Sequence, residues 1–276
     1  MTLLQALILG IVQGLTEFLP VSSTAHLLIA QKLLGIQAGD VSFAFTVLVQ
    51  LGTLLSLIVY FWRELWHIAR AMLTGLWQRQ PFGDAQARLG WYLVLGTVPA
   101  VLAGVVFKPL VEWLFRDFAL EAVIRLSMTV ALLLAAERLG KRKRPLGELN
   151  WKDALWVGCA QALAVFPGAS RSGATIAGGM TRHFDRPSAA RFAFLLSVPV
   201  MVGAGGYEAL DLLASGHVSA SVWLPVLVGF AAAAIVGFFA IHWLLKFLGQ
   251  RSLNVFAAYC GVLALITLLL RMISTV

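Results

Sequence analysis

The chain of 276 residues is 60% hydrophobic and only 12% charged, with a formal net charge of +8. A soluble domain carries about a quarter charged residues, so this composition, with a mean hydropathy of +0.86, excludes a protein whose surface faces mainly water. The basic excess does not call for nucleic acid, because Lys and Arg of membrane proteins gather in cytoplasmic loops.

The first apolar stretch, residues 3–34, has arms of roughly ten residues on either side of a polar, Pro-broken centre from Gln13 to His26. Neither arm is long enough to cross a bilayer, which takes about 20 residues, so a re-entrant helical hairpin is predicted. Its tip is tolerable only when buried in protein or lining a watery cavity. No basic region precedes this stretch, so no cleavable leader is expected. Spans are then predicted over 41–62, 91–107 and 119–137. The intervening residues Arg63 to Arg88 read as a basic loop. A denser basic segment, 138–153, holds Lys141, Arg142, Lys143 and Arg144 and is predicted to be a cytoplasmic linker. A second hairpin follows over 154–180, broken around Pro167 to Thr175, then spans over 190–210, 222–245 and 254–270. Asp211 to Ser221 contains no Lys or Arg and is assigned to the outside. Cys159 and Cys260 both lie in apolar segments, against a disulfide framework or a metal cluster.

The halves echo each other. Gln13-Gly-Leu…Pro-Val-Ser-Ser-Thr returns as Gln161-Ala-Leu…Pro-Gly-Ala-Ser-Arg-Ser, 148 positions later, and Phe43-Ala-Phe returns as Phe192-Ala-Phe, 149 later. One hairpin and three spans per half make the second half inverted relative to the first. The predicted fold is therefore an all-α integral membrane protein with six transmembrane helices and two re-entrant hairpins. Residues 1–137 and 154–276 form the inverted-topology repeats, and the hairpin tips can meet inside the bilayer.

Chemistry concentrates in those tips. Gln13 and Glu17, four apart, share a helix face, and an ionisable side chain inside a membrane segment marks a functional cavity. Ser22, Ser23, Thr24 and His26 follow, so a nucleophile, a base and an acid fall within one short segment. The second tip, Pro167-Gly168-Ala169-Ser170-Arg171-Ser172-Gly173-Ala174-Thr175, reads as an anion clamp. Gly168 and Gly173 permit close backbone approach, Arg171 offers a planar fork, and Ser170, Ser172 and Thr175 offer hydroxyls. Glu121 and Arg125 are spaced for an ordinary helix ion pair, and the nine tryptophans read as interfacial anchors.

Together the two motifs resemble the undecaprenyl-diphosphate phosphatase, or bacitracin-resistance protein, family, along nearly the whole chain. The resemblance rests on Gln13 to Glu17, on Ser22-Ser23-Thr24-Ala25-His26 and on Pro167 to Thr175, with Gln50-Leu-Gly and Phe192-Ala-Phe-Leu-Leu beside them. It implies hydrolysis of a C55 isoprenoid diphosphate to the monophosphate, recycling the lipid carrier of cell-wall synthesis. It also implies a bacterial inner-membrane location, an active site open to the periplasm and a divalent cation, Mg2+ or Ca2+. Many members carry Glu where this chain has Gln13, which leaves Glu17 as the one acidic residue of the motif and the one candidate metal ligand. The expected mechanism has Arg171 and the second motif clamping the diphosphate and Ser23 attacking. Glu17 or His26 would take the serine proton, with attack by water or by His26 as alternatives. The expected partners are the polyprenyl diphosphate and the bilayer, with a homodimer allowed and nucleic acid not expected. The rival reading is a transporter or flippase for an anionic or polyprenyl-phosphate substrate, which needs the clamp but not the Glu17, Ser23 and His26 set.

Overall fold

The computed structural model describes residues 1–36, 40–114, 118–164, 169–214 and 220–274. These residues form eleven α-helices and one short 3-10 turn, and no strand occurs among them. In chain order the helices are α1 (Leu3–Phe18), α2 (Ser23–Leu33), α3 (Asp40–Tyr60), α4 (Trp62–Trp77), α5 (Ala85–Leu114) and α6 (Phe118–Leu139). After the turn at Leu146–Glu148 come α7 (Trp151–Ala162), α8 (Arg171–Thr181), α9 (Arg186–Ala214), α10 (Ala220–Leu248) and α11 (Asn254–Ser274).

Among the described residues five helices are long and apolar enough to cross a membrane: Ala85–Phe107, Ala119–Leu139, Arg186–Leu210, Trp223–Leu248 and Asn254–Ile273. A sixth passes the test only together with its neighbour, as the pair Phe45–Tyr60 and Trp62–Trp77, which is bent by 76°. The apolar side chains that α5, α10 and α11 leave uncovered, among them Leu102, Val105, Ile235, Phe239, Val262 and Leu269, are too many for a water-facing surface. The protein is a multi-pass membrane protein.

The basic loop predicted over Arg63 to Arg88 is corrected by the structure. Residues 62–77 are helical, and α5 already begins at Ala85. The cause is amphipathic spacing: Trp62, Trp66, Leu73 and Leu76 recur at helical intervals and stay exposed, while Ile68 turns inward. Asp84 starts α5 by accepting the amides of Gln86 (2.7 Å) and Ala87 (3.2 Å). Glu64, His67, Arg70, Thr74, Asp84 and Arg191 line a cleft beside α4, and no residue of either polar motif lines it.

Several helix pairs approach very closely, two of them glycine against glycine. α1 runs along α10 and α7 along α5. A β-carbon added at Gly10 would lie 2.3 Å from the Gly229 carbonyl oxygen, and one at Gly158 would lie 2.3 Å from that of Gly96. Only glycine permits such contact, and small residues at these crossings are how membrane helices gain packing. α3 also packs on both α10 and α9, α6 on α11, and α8 against α6, α7 and α9. The main core lies where these helices cross, around Phe18, Leu126, Leu133, Ile176, Met180, Phe192 and Phe194. Phe18 meets Phe194 edge to face at 5.6 Å, so the end of α1 is anchored to α9.

Candidate active site

The first motif is shaped by a proline. α1 runs through Gln13 and Glu17 and stops at Phe18 because Leu19 (φ −65°, ψ 140°) precedes Pro20, which disfavours helical backbone in the residue before it. The chain then turns at Ser22, whose φ of 68° is unusual for a residue with a β-carbon. Such a conformation costs about 1–3 kcal/mol and persists only where its surroundings hold it. Here Ser172 Oγ donates to the Leu19 carbonyl (2.9 Å), and Cys260 Sγ lies 3.9 Å from the Val21 carbonyl. α2 begins at Ser23 without a side-chain cap, so its first-turn amides stay open for an anion.

The second motif is mostly the first turn of α8. Ser170 caps that helix, its Oγ accepting the Gly173 amide at 3.2 Å. Its own amide donates to Thr129 Oγ1 of α6 at 3.3 Å. A β-carbon at Gly173 would meet Ser170 Cβ at 3.1 Å and Thr129 Cγ2 at 3.3 Å, so this glycine serves packing.

The two motifs meet at Glu17. Its Oε2 accepts from Gln13 Nε2 (2.9 Å) and from Ser23 Oγ (2.7 Å), and its Oε1 accepts from an Arg171 guanidinium nitrogen. Glu17 is 8% exposed and Gln13 2%. A carboxylate so far from water needs a paired charge, and Arg171 supplies it from 154 positions away. Among the described residues the Arg171 guanidinium makes no other hydrogen bond, so the rest of its fork is available to phosphate oxygens.

His26, three residues after Ser23 and hence on the same side of α2, has Nδ1 at 2.8 Å from the Ser22 carbonyl and Nε2 at 2.8 Å from the Tyr259 hydroxyl. It makes no described hydrogen bond to Ser23, whereas Glu17 accepts one from the serine hydroxyl. Thr24 is exposed beside them. Ser170, Ser172 and Thr175 are buried, and their hydroxyls join the motifs to each other and to their own helix, Thr175 donating to the Arg171 carbonyl at 2.7 Å. Gly168 lies outside the described residues. Thr129 and Tyr259 belong to this neighbourhood and were not singled out from sequence, since an isolated hydroxyl in an apolar span gives no signal of its partner.

Among the described residues no cluster of three His, Cys, Asp or Glu could hold a metal ion. Glu17 is the single acidic group at the junction, and both its oxygens are engaged. That donor set fits a hard cation carried largely by substrate oxygens and water, as Mg2+ is commonly held, and does not fit an all-protein cage.

Residues 6–266 match the family described as Bacitracin resistance protein BacA. The chain belongs to that family. Three relatives named undecaprenyl-diphosphatase bear the match out. The protein from Anaeromyxobacter dehalogenans is 44% identical over 94% of this chain and 88% of its own length. That from Thermomicrobium roseum is 43% identical over 98% of each chain, and that from Chlorobaculum tepidum is 40% identical over 96% of this chain and 95% of its own.

Proposed function

We propose that this protein hydrolyses undecaprenyl diphosphate to undecaprenyl phosphate and inorganic phosphate, recycling the cell-wall lipid carrier and giving resistance to bacitracin. The observation that carries the reading is the junction of Glu17, Ser23 and Arg171, formed by two motifs that the sequence keeps far apart. A binding site for a transported anion needs the arginine alone.

In this mechanism Arg171 and the open first turn of α2 receive the terminal phosphate. Ser23 Oγ attacks its phosphorus while Glu17 Oε2 accepts the serine proton. The bond from phosphorus to the bridging oxygen breaks, and the lipid monophosphate leaves with that electron pair. Water then cleaves the phosphoserine, releasing inorganic phosphate, and Ser23 regains its proton. Charge on the transferring group is what such a site must stabilise, and Arg171 is placed to do so. A bound Mg2+ or Ca2+ would supply further charge neutralisation at the phosphate oxygens, with Glu17 as its protein ligand. Gln13 keeps Glu17 oriented, while Ser170, Ser172 and Thr175 hold Arg171 in place.

The inverted repeats 1–137 and 154–276 are part of the same reading. Gly10 and Gly158 stand 148 positions apart, the offset of the polar motifs, and each meets a glycine of the other half. The basic linker 138–153 lies in the cytoplasm, and the active site opens to the periplasm of the inner membrane. The polyprenyl tail remains in the bilayer, and a second copy of the chain is a further candidate partner. Lys143→Cys should label only from the cytoplasmic side and Ala214→Cys only from outside; the reverse pattern would overturn this orientation.

Phosphate release from undecaprenyl diphosphate by the purified protein with Mg2+ is the direct test. Release by the wild type that collapses in Arg171→Ala supports an enzyme with its anion site at α8. A folded wild type that binds the lipid and releases nothing, with Mg2+ or Ca2+, would leave transport as the function.

A further inference from the structure

Beyond the residues of the two motifs, we propose that Tyr259 is a positioning residue for His26, holding the ring whose Nδ1 proton the Ser22 carbonyl fixes and setting which way its free lone pair points. The inference rests on the phosphatase reading of the site.

His26 Nδ1 lies 2.8 Å from the Ser22 carbonyl oxygen. A carbonyl only accepts, so Nδ1 carries the proton and donates it. In the neutral ring Nε2 then holds the lone pair, and the group 2.8 Å from it is the Tyr259 hydroxyl, which donates. The two rings are stacked, with centroids 5.6 Å apart and planes 11° from parallel. Rotation of the imidazole would therefore break two hydrogen bonds and the stack together.

The supports of this pair come from different parts of the chain. His26 is held by the Ser22 carbonyl, whose direction follows from the left-handed φ of 68°. Tyr259 comes from α11, which packs along α6, and its neighbour Cys260 lies against the carbonyl of Val21. One face of α11 thus touches the turn and the histidine at once. Tyr259 is 48% exposed, so its hydroxyl can swing aside for a phosphate oxygen or a water without disturbing the core. When it does, Nε2 is presented toward the same side of α2 as Ser23 with its lone pair free. A lone pair held in place there is suited to accept a proton from the water that cleaves the phosphoserine.

The test compares Tyr259→Phe, His26→Gln and the double variant, in the purified full chain with undecaprenyl diphosphate. Tyr259→Phe keeps the stacked ring and removes only the hydroxyl. It is expected to lower kcat about tenfold, less than the hundredfold or more that a general acid–base group itself supplies, with KM changed less than about twofold. The double variant should be no slower than His26→Gln alone, because coupled residues are not additive. Nitrogen-15 histidine spectra, assigned with His26→Gln, should show His26 protonated at Nδ1 in both proteins, with the Nε2 resonance moved downfield in Tyr259→Phe because its lone pair has lost the hydroxyl proton. A Tyr259→Phe enzyme with wild-type kcat, losses that multiply in the double variant, or a raised KM at unchanged kcat would each overturn the proposal. If the wild type releases no phosphate, the phosphatase reading fails, and the spectra still decide whether the Tyr259 hydroxyl holds the Nε2 lone pair; an Nε2 resonance unchanged in Tyr259→Phe would overturn that.

Discussion

Glu17 and Asp153 are both buried carboxylates paired with arginine, and they differ in what remains once each is satisfied. Asp153, at the start of α7, accepts from Arg144 (2.8 and 3.2 Å), from Arg182 (2.7 Å) and from the Asn150 amide (3.2 Å). Arg144 is further tied to the carbonyls of Arg182 (2.9 Å) and Glu148 (2.7 Å), and lies 4.5 Å above the Phe184 ring. Nearby, Glu137 accepts from Arg142, from both ends of the Arg186 fork and from the Leu253 amide. In both networks every donor to the carboxylate is an arginine or a backbone amide. At Glu17 one of the three donors is the Ser23 hydroxyl, and an uncapped helix start stands beside it. Arginine–carboxylate pairing is therefore no sign of function by itself. The hydroxyl and the uncapped helix start set Glu17 apart.

Three substitutions at the first site sharpen that contrast. Ser23→Ala should have the largest effect, lowering kcat by about a thousandfold or more if Ser23 is the nucleophile; turnover within tenfold of wild type would show that water attacks directly. Glu17→Gln should lower kcat by about a hundredfold or more, since proton acceptance by a placed group is worth that much. Retention of a burst of undecaprenyl phosphate in Glu17→Gln would assign the base to another residue. Arg171→Lys keeps a charge but loses the planar fork, and a loss of about tenfold to a hundredfold is expected in kcat/KM. An unchanged kcat/KM would mean that a point charge suffices at α8.

Much of the site was legible because rare residue types stood out in apolar sequence: Glu17, His26 and Arg171 each interrupt a run that composition alone would make featureless. What those residues touch was less legible. The spacing of Glu17, Ser23 and His26 left either acid as the partner of the serine, and only the turn at Leu19 to Ser22 selects Glu17. Ser170, Ser172 and Thr175 read as ligand donors because a hydroxyl in a glycine-rich run looks the same whether it faces an anion or caps a helix. Gly173 carries the same ambiguity, since close approach to Thr129 requires the same small residue as close approach to phosphate. α4 was missed because its charges were weighed and its spacing was not. Tyr259 had no signal at all, its partner being 233 positions distant.

The Asp153 network makes the opposite prediction, a change in stability with catalysis spared. Arg144→Met takes two hydrogen bonds from the Asp153 carboxylate and should cost about 2 kcal/mol, read as a lower Tm with normal kcat in the folded protein. A loss of kcat at unchanged Tm would mean that this network does more than hold α7.

The smallest effect expected is one of pH. Burial pushes the Asp153 carboxyl up, but its bonds from Arg144, Arg182 and the Asn150 amide outweigh that and hold it below the ordinary carboxylate range. A carboxyl with a lowered folded value binds fewer protons folded than unfolded, so its contribution is complete above the unfolded value of about 3.9 and fades as pH falls through the folded one. Wild-type Tm should therefore drop more steeply than that of Asp153→Asn as pH is lowered from about 5 to 3, and the two curves should converge at the acid end. Parallel curves across that range would mean that Asp153 is not held ionised by its arginines, and the contrast with Glu17 would then lose its structural half.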